Sequence, residues 1–304
     1  MMGDDVLMLG LGFLGRALAQ RLHAEGRTVH VIEPAKAPPV AGVSMHRGNM
    51  DDLPLLEQLL PKCGTVFHLA SATTPGSSAG DPVAEAERNL LPSLRFIEQA
   101  QRHGPLRLVF ISSGGTLYGD PTVSPTPENH PLKPYSYHGA GKIAQEAFLR
   151  AFAQATDSCV AILRPSNLYG PGQPLKSGFG VIRTLLEHAL RGTAMPIWGD
   201  GETVRDFLYI DDMVEACLLL SRDPKVSGTF NVGSCHGHTI NQILAVAEKV
   251  CGRKVAVQRY PARGYDVRQV ILDNASIKTA LGWQPATPLE DGIRLTWQWL
   301  LNAR

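Results

Sequence analysis

Several features that would narrow the function class are missing from this 304-residue chain. No apolar run approaches the roughly 20 residues needed to span a bilayer, so a membrane protein is not expected. Neither a basic tract nor an RNA-type aromatic motif occurs, and the formal net charge is only +1. Nucleic acid is therefore a poor candidate partner. The five cysteines are odd in number and lack CxxC spacing; they read as reduced thiols of a cytoplasmic protein rather than a disulfide framework or a metal knot. The crowded Cys235-His236-Gly237-His238 has no distant Cys/His pair to complete a tetrahedral site, so no metal is expected. The charged start, apolar stretch and small-residue cleavage site of a signal peptide are not seen at the N-terminus. Nor is there an internal repeat.

What is present is apolar patterning. The 44% apolar content supports a sizeable core. Short apolar runs at Val6–Leu9, Val29–Ile32, Thr65–Leu69, Leu106–Ile111 and Cys159–Leu163 alternate with stretches of helical periodicity. Such repeated units predict an α/β fold, a doubly wound parallel sheet of Rossmann type covered on both faces. One long helix is expected over 83–102 and another over 139–155. After Arg164-Pro165 the pattern becomes irregular and glycine- and proline-rich. Residues 1–169, with a return at about 204–234, read as one domain. Residues 170–304 read mainly as a smaller, discontinuous lobe that binds substrate.

Gly10-Leu11-Gly12-Phe13-Leu14-Gly15 follows the first strand and opens the first helix. In that setting Gly10 permits a tight turn, Gly12 lets backbone approach a pyrophosphate, and Gly15 lets helix and strand pack closely. The helix N-terminus favours the negative charge. Glu33, ending the second strand, suits an adenine-ribose 2′-hydroxyl and would repel a 2′-phosphate, which favours NAD; Lys36 and Arg47 leave room for NADP.

These motifs, with HLAS at 68–71, ISSGGTLYG at 111–119, YHGAGKIAQE at 137–146, RPSNLYGPGQ at 164–173, GDGETVRDFLYIDD at 199–212, FNVGS at 230–234 and LGWQP at 281–285, resemble the extended short-chain dehydrogenase/reductases. Within that family they are most similar to nucleotide-sugar epimerases and dehydratases of the 4-epimerase type. The resemblance implies an NAD-binding lobe and a nucleotide-sugar-binding lobe, with Phe13, Leu14, Leu69, Ala70 and Asn89 also at the cofactor. It implies a substrate site holding Ser71, Thr73, Ser113, Gly114, Asn167, Arg205, Arg263 and Asp266, and a homodimer formed through helices 83–102 and 139–155. Guanidinium groups suit diphosphate oxygens and a carboxylate suits a cis-diol.

The family's chemistry uses a Tyr that removes a sugar hydroxyl proton, a Lys four residues later, and a Ser or Thr on the reacting oxygen. Lys142 fits the lysine. The Tyr register falls on His138, the Ser/Thr register on Gly114 with Thr116 and Ser113 nearby, and Leu9 replaces the first glycine of the turn. Three readings of His138 stay open. It can be the acid/base, since an imidazole near pKa 6.5 needs no help, whereas a phenol must be pulled from about 10 to about 7, roughly 4 kcal/mol. Tyr137 or Tyr135 can swing in instead, if the helix begins late. Or catalysis is lost and only binding remains. The activity expected is NAD-dependent C4 epimerisation of a UDP-hexose, with a nucleotide-sugar ketoreductase or dehydrogenase, or an impaired binding protein, as alternatives.

Overall fold

The computed structural model describes residues 5–34, 37–74, 76, 80–176, 180–262 and 267–303. The chain begins β1 (Asp5–Leu9), α1 (Phe13–Ala24), β2 (Val29–Glu33), β3 (Ser44–Arg47), α2 (Leu53–Leu59) and β4 (Cys63–His68). It continues through α3 (Pro82–Glu85), a π-helical turn (Ala86–Leu90), α4 (Leu91–His103), β5 (Arg107–Ile111), α5 (Gly114–Leu117), α6 (Tyr137–Thr156) and β6 (Cys159–Pro165). Then come β7 (Asn167–Tyr169), α7 (Val181–Arg191), β8 (Met195–Trp198), β9 (Val204–Tyr209), α8 (Ile210–Arg222), β10 (Gly228–Val232) and β11 (Gly237–Thr239). The last elements are α9 (Ile240–Cys251), β12 (Val257–Tyr260), β13 (Gln269–Val270), α10 (Ala275–Leu281) and α11 (Leu289–Asn302).

Seven strands form one sheet in the order β10-β6-β5-β4-β1-β2-β3, every pair parallel. Alternate side chains of one strand feed opposite layers. Val6 and Met8 pack with Leu14, Leu18 and Leu22 of α1 and with Met213 and Cys217 of α8. Leu7 and Leu9 pack with Phe96 and Ile97 of α4 and Leu149 and Phe152 of α6. Each such side chain contributes about 1.5–3 kcal/mol when fully buried, so both faces are driven to be covered. The strand order reverses between β1 and β4, and the crevice beyond the strand ends at that point is where such sheets hold ligands. The smaller sheet joins β11, β9 and β13, with β7 paired to β9; β12 and β8 form a separate pair.

Three local departures from the sequence pattern bear on the site. The helix expected over 83–102 is broken by the π-helical turn. Pro92 has no N–H for the carbonyl four residues earlier, and the wider turn accommodates the loss. The helix expected from residue 139 starts at Tyr137, because the Ser136 hydroxyl accepts the Gly139 amide at 3.1 Å and caps it. Strand β3 (sequence SMHR) has no apolar run to announce it and exists through its pairing with β2 at the sheet edge.

Candidate active site

The glycine turn after β1 is built for close approach. Gly10 has φ +98°, and a Cβ there would lie 2.9 Å from the Ala70 Cα, so only glycine fits. A Cβ on Gly15 would meet the Gly10 carbonyl at 2.8 Å, which is the tight helix–strand packing itself. Gly12 differs: nothing lies within 4 Å of its Cβ position. It caps α1 with no side chain bonded to the helix end, leaving an open cradle at a helix N-terminus, the arrangement that receives a pyrophosphate. Leu11 N–H donates to Glu33 Oε2 at 2.6 Å, which draws the carboxylate in beside the cradle. Phe13 is half-buried, Leu14 buried, and Leu69 N–H donates to the Leu9 carbonyl at 3.0 Å. These residues fit a dinucleotide. Arg47 pairs with Glu33 across the β2–β3 ladder; Lys36 lies outside the described residues.

Helix α6 presents His138, Lys142 and Glu146 as an i, i+4, i+8 stripe, all three buried. The Lys142 ammonium donates to the Ile111 carbonyl at 2.9 Å and stands 4.7 Å from the Phe110 ring centre. Burial lowers its pKa to about 8, against the pull of the Glu85 and Glu146 carboxylates. His138 is only 7% exposed. Burial, then the Lys142 charge, pushes its pKa down to about 4. Glu85 Oε2 lies 3.9 Å from Nδ1. Burial therefore favours the neutral imidazole and holds its pKa below the ordinary value near 6.5.

Tyr137 and Tyr135 point outward, 45% and 55% exposed. The swing-in of a neighbouring tyrosine required a late helix start; the Ser136 cap starts α6 early, so Tyr137 is turned away from the stripe. Gly114 is buried where a Cβ would collide with Leu272 Cδ1 at 2.4 Å and the Arg164 carbonyl at 2.9 Å. A hydroxyl side chain has no room there. The nearest hydroxyls in that motif pair with each other, Thr116 Oγ1 donating to Ser113 Oγ at 2.8 Å. The two segments are in contact: a Cβ on Gly139 would lie 2.7 Å from the Thr116 carbonyl oxygen.

Facing His138 is a network that the sequence reading did not anticipate. Thr73 Oγ1 donates to Glu85 Oε2, receives the Asn89 amide at 2.7 Å, and lies 3.1 Å from His138 Nδ1. Asn89 also donates to Glu85 Oε1 at 2.9 Å and accepts the Ala72 N–H at 2.7 Å. Asn89, expected at the cofactor, engages Thr73, Glu85 and the Ala72 amide and so also holds the 71–73 loop. Ser71 is exposed and donates to the Thr73 carbonyl at 3.1 Å. Glu85 was missed because an acid in the first turn of a helix ordinarily reads as a response to the helix dipole.

On the substrate side, Asn167 of β7 lies opposite Phe207 of β9, and Arg205 stands two residues earlier on β9, opposite His238 of β11 and Val270 of β13. Asn167 donates to the Asp206 carbonyl at 2.9 Å and Arg205 to the Val204 carbonyl at 2.9 Å. Asp206, also missed, is fully buried and accepts from Ser234 N–H and Oγ, Cys235 N–H and Leu272 N–H. It ties the FNVGS turn to β9. Arg263 and Asp266 lie outside the described residues. Among the described residues no group of three or more His, Cys, Asp or Glu side chains could hold a metal ion, and no helix is long and apolar enough to cross a membrane.

The profile of the NAD dependent epimerase/dehydratase family matches residues 6–233, from β1 to the end of the FNVG segment. The chain belongs to this family. Members similar to it extend the match over nearly the whole length. The UDP-glucose 4-epimerase of Mycolicibacterium smegmatis is 30% identical, covering 96% of each chain. The crystal structure of UDP-glucose 4-epimerase from Thermotoga maritima with UDP-glucose superposes with a TM-score of 0.91 at 32% identity, covering 98% of this chain and 99% of that one. The Thermus thermophilus UDP-glucose 4-epimerase in complex with NAD gives a TM-score of 0.91 at 30% identity, covering 99% of each. As a member of the epimerase/dehydratase family, the chain has the doubly wound parallel sheet and glycine cradle that the sequence pattern led one to expect.

Proposed function

We propose that the protein is an NAD-dependent epimerase that inverts C4 of a UDP-hexose, with His138 in place of a tyrosine as the acid/base. The observation that carries this reading is a buried imidazole standing one helical turn before Lys142, within hydrogen-bond reach of a built network. A disused site would have no reason to keep a carboxylate, a hydroxyl and an amide buried around it. Relatives at 30–32% identity that bind UDP-glucose or NAD support the ligand classes.

In this reading Gly10, Gly12, Phe13, Leu14, Gly15, Glu33, Leu69 and Ala70 hold NAD, and Lys142 holds its nicotinamide ribose. NAD, when bound, supplies the acceptor and donor of hydride. His138 removes the proton from the sugar hydroxyl at C4 and returns it after the keto sugar has turned over. Thr116, through Ser113, offers a hydroxyl to the reacting oxygen. Asn167 and Arg205, with Arg263 and Asp266, bind the diphosphate and ribose. Residues 1–169 and about 204–234 form the cofactor domain and the remainder mainly the sugar-nucleotide lobe. Helices α4 and α6 pack side by side and leave Leu91 and Phe148 exposed, an apolar outer face that suits a homodimer; the protein works in the cytoplasm.

Incubation with a panel of UDP-hexoses and a trace of NAD, followed by NMR, should reveal one pair interconverting at C4 with no net NADH. Absence of any interconversion overturns the proposal, and stoichiometric use of NADH on a 4-keto sugar nucleotide marks a reductase instead. His138→Ala should cut kcat about 100-fold or more, while Tyr137→Phe leaves it near wild type.

A further inference from the structure

The hydrogen-bond directions around Thr73 decide which nitrogen of His138 carries the proton. Glu85 is 4% exposed, and among the described residues the one ionisable basic group within 4 Å of it is the His138 imidazole. As a carboxylate it can only accept, so the Thr73 hydroxyl gives its single proton to Glu85 Oε2. The Asn89 side chain is oriented independently: its oxygen must accept the Ala72 amide, so its nitrogen faces Thr73 and Glu85. Thr73 Oγ1 then has only a lone pair left for His138 Nδ1, 3.1 Å away. Nδ1 must be the protonated nitrogen, and Nε2 the free base. A second observation points to the same carboxylate. Gly141 sits inside α6, where glycine costs about 1 kcal/mol relative to alanine. A Cβ there would lie 2.6 Å from Glu85 Oε1, so the helix gives up a side chain to admit the carboxylate.

We propose that Thr73 and Glu85 are positioning residues that set the His138 tautomer and relay its proton, an inference that rests on the acid/base role of His138. The sugar hydroxyl proton goes to Nε2, the Nδ1 proton passes to Thr73 Oγ1, and the Thr73 proton passes to Glu85 Oε2. The C4 hydride would be taken up, and later returned, by NAD when bound, as in the proposed reaction. The imidazole ends neutral in its other tautomer and Glu85 ends as a neutral acid; the re-reduction half reverses each transfer. The relay answers a difficulty of the site. Burial and the Lys142 charge disfavour an imidazolium, whereas a relay never requires one to persist. Among the described residues, the charged groups facing the ring are Glu85 from α3 and Lys142 on its own helix, with Glu146 beyond Lys142.

The test has two arms. Nitrogen-15 NMR of histidine-labelled protein reads the tautomer without needing turnover, the His138 signal being identified among ten histidines by its loss in His138→Ala. The expected result is the Nδ1–H form at pH 7; the Nε2–H form overturns the proposal. In Glu85→Gln, Asn89 still needs an acceptor, so the new amide nitrogen turns toward Thr73. The Thr73 proton is then displaced toward Nδ1 and the tautomer flips. That variant should lose about 100-fold in kcat with KM within threefold. Thr73→Val should lose as much, and Thr73→Ser, which keeps the hydroxyl, should stay within about tenfold of wild type. A kcat of Glu85→Gln within threefold of wild type overturns the relay. A hexose panel without turnover counts against the proposed function, and the wild-type tautomer then decides the network by itself.

Discussion

Two buried carboxylates, Glu146 within the α6 stripe and Glu85 facing it, do opposite things. Glu146 lies against Arg164, whose Nε and Nη2 both donate to it, at 2.9 and 2.6 Å; Arg150 and Ser112 complete its partners at 2.6 Å each. Arg164 also donates to the Tyr118 hydroxyl at 2.8 Å, which in turn donates to Asn231 at 2.7 Å. Burial alone would push the Glu146 carboxyl up, but Arg164 holds it below the usual carboxylate range. Glu85, by contrast, faces a hydroxyl, an amide and an imidazole. A guanidinium fork locks a charge in place; a hydroxyl with one proton lets that charge choose a direction for its neighbours. The difference teaches that burial of an acid is not itself a sign of function: the partner's ability to move a proton is.

The comparison can be broken from either side. The largest effect is expected at Glu146→Ala, which leaves Arg164 buried without its carboxylate and should cost about 3–5 kcal/mol of stability, read by urea denaturation; Glu85→Gln should cost far less. Next is acid. His138 has a folded-state pKa of about 4 and an ordinary value of 6.5. Between those values the unfolded chain takes up a proton that the folded one refuses. Stability should thus be full above about pH 6.5 and fall toward pH 4, by up to about 3 kcal/mol. His138→Gln should remove that part of the curve. The Glu146 contribution is present above its ordinary 4.5 and is lost only as pH falls below that, so the two acids' neighbourhoods separate along the pH axis. Gly141→Ala should then lower kcat about tenfold by displacing Glu85, against an intrinsic helix gain of about 1 kcal/mol. The smallest effect is Ser136→Ala, which removes the α6 cap for about 1 kcal/mol. Because that cap sets where Tyr137 points, a rise in Tyr137 burial in the variant would sharpen the contrast.

Much of the architecture was legible beforehand. Apolar strands and periodic helices announce a covered parallel sheet, and the i, i+4 spacing puts His138 and Lys142 on one face of α6. Strand β3 was not legible, because its four residues are held by pairing rather than by a pattern of their own. The break in helix 83–102 needed Pro92 and the wider turn to be weighed together. Glu85 was invisible as a site residue, since nothing local distinguishes a first-turn acid facing solvent from one facing an imidazole. Gly114 was readable as a missing hydroxyl, but not as a position where Leu272, far along the chain, leaves no space for one.

The sequence by itself determined the kinds of groups present and their one-dimensional spacing: a glycine turn on a strand–helix junction, and an imidazole and an ammonium on one face of one helix. These follow from backbone geometry, which repeats identically wherever a strand or helix forms. The protonation state of His138 and the direction of its proton were decided only in three dimensions. They depend on burial and on the order of hydrogen bonds among Thr73, Glu85, Asn89 and His138, contributed by a loop, two helices and the π-helical turn. Hydrogen bonding of that kind is set by which donor is left over once its neighbours are satisfied, and no local stretch of chain carries that information.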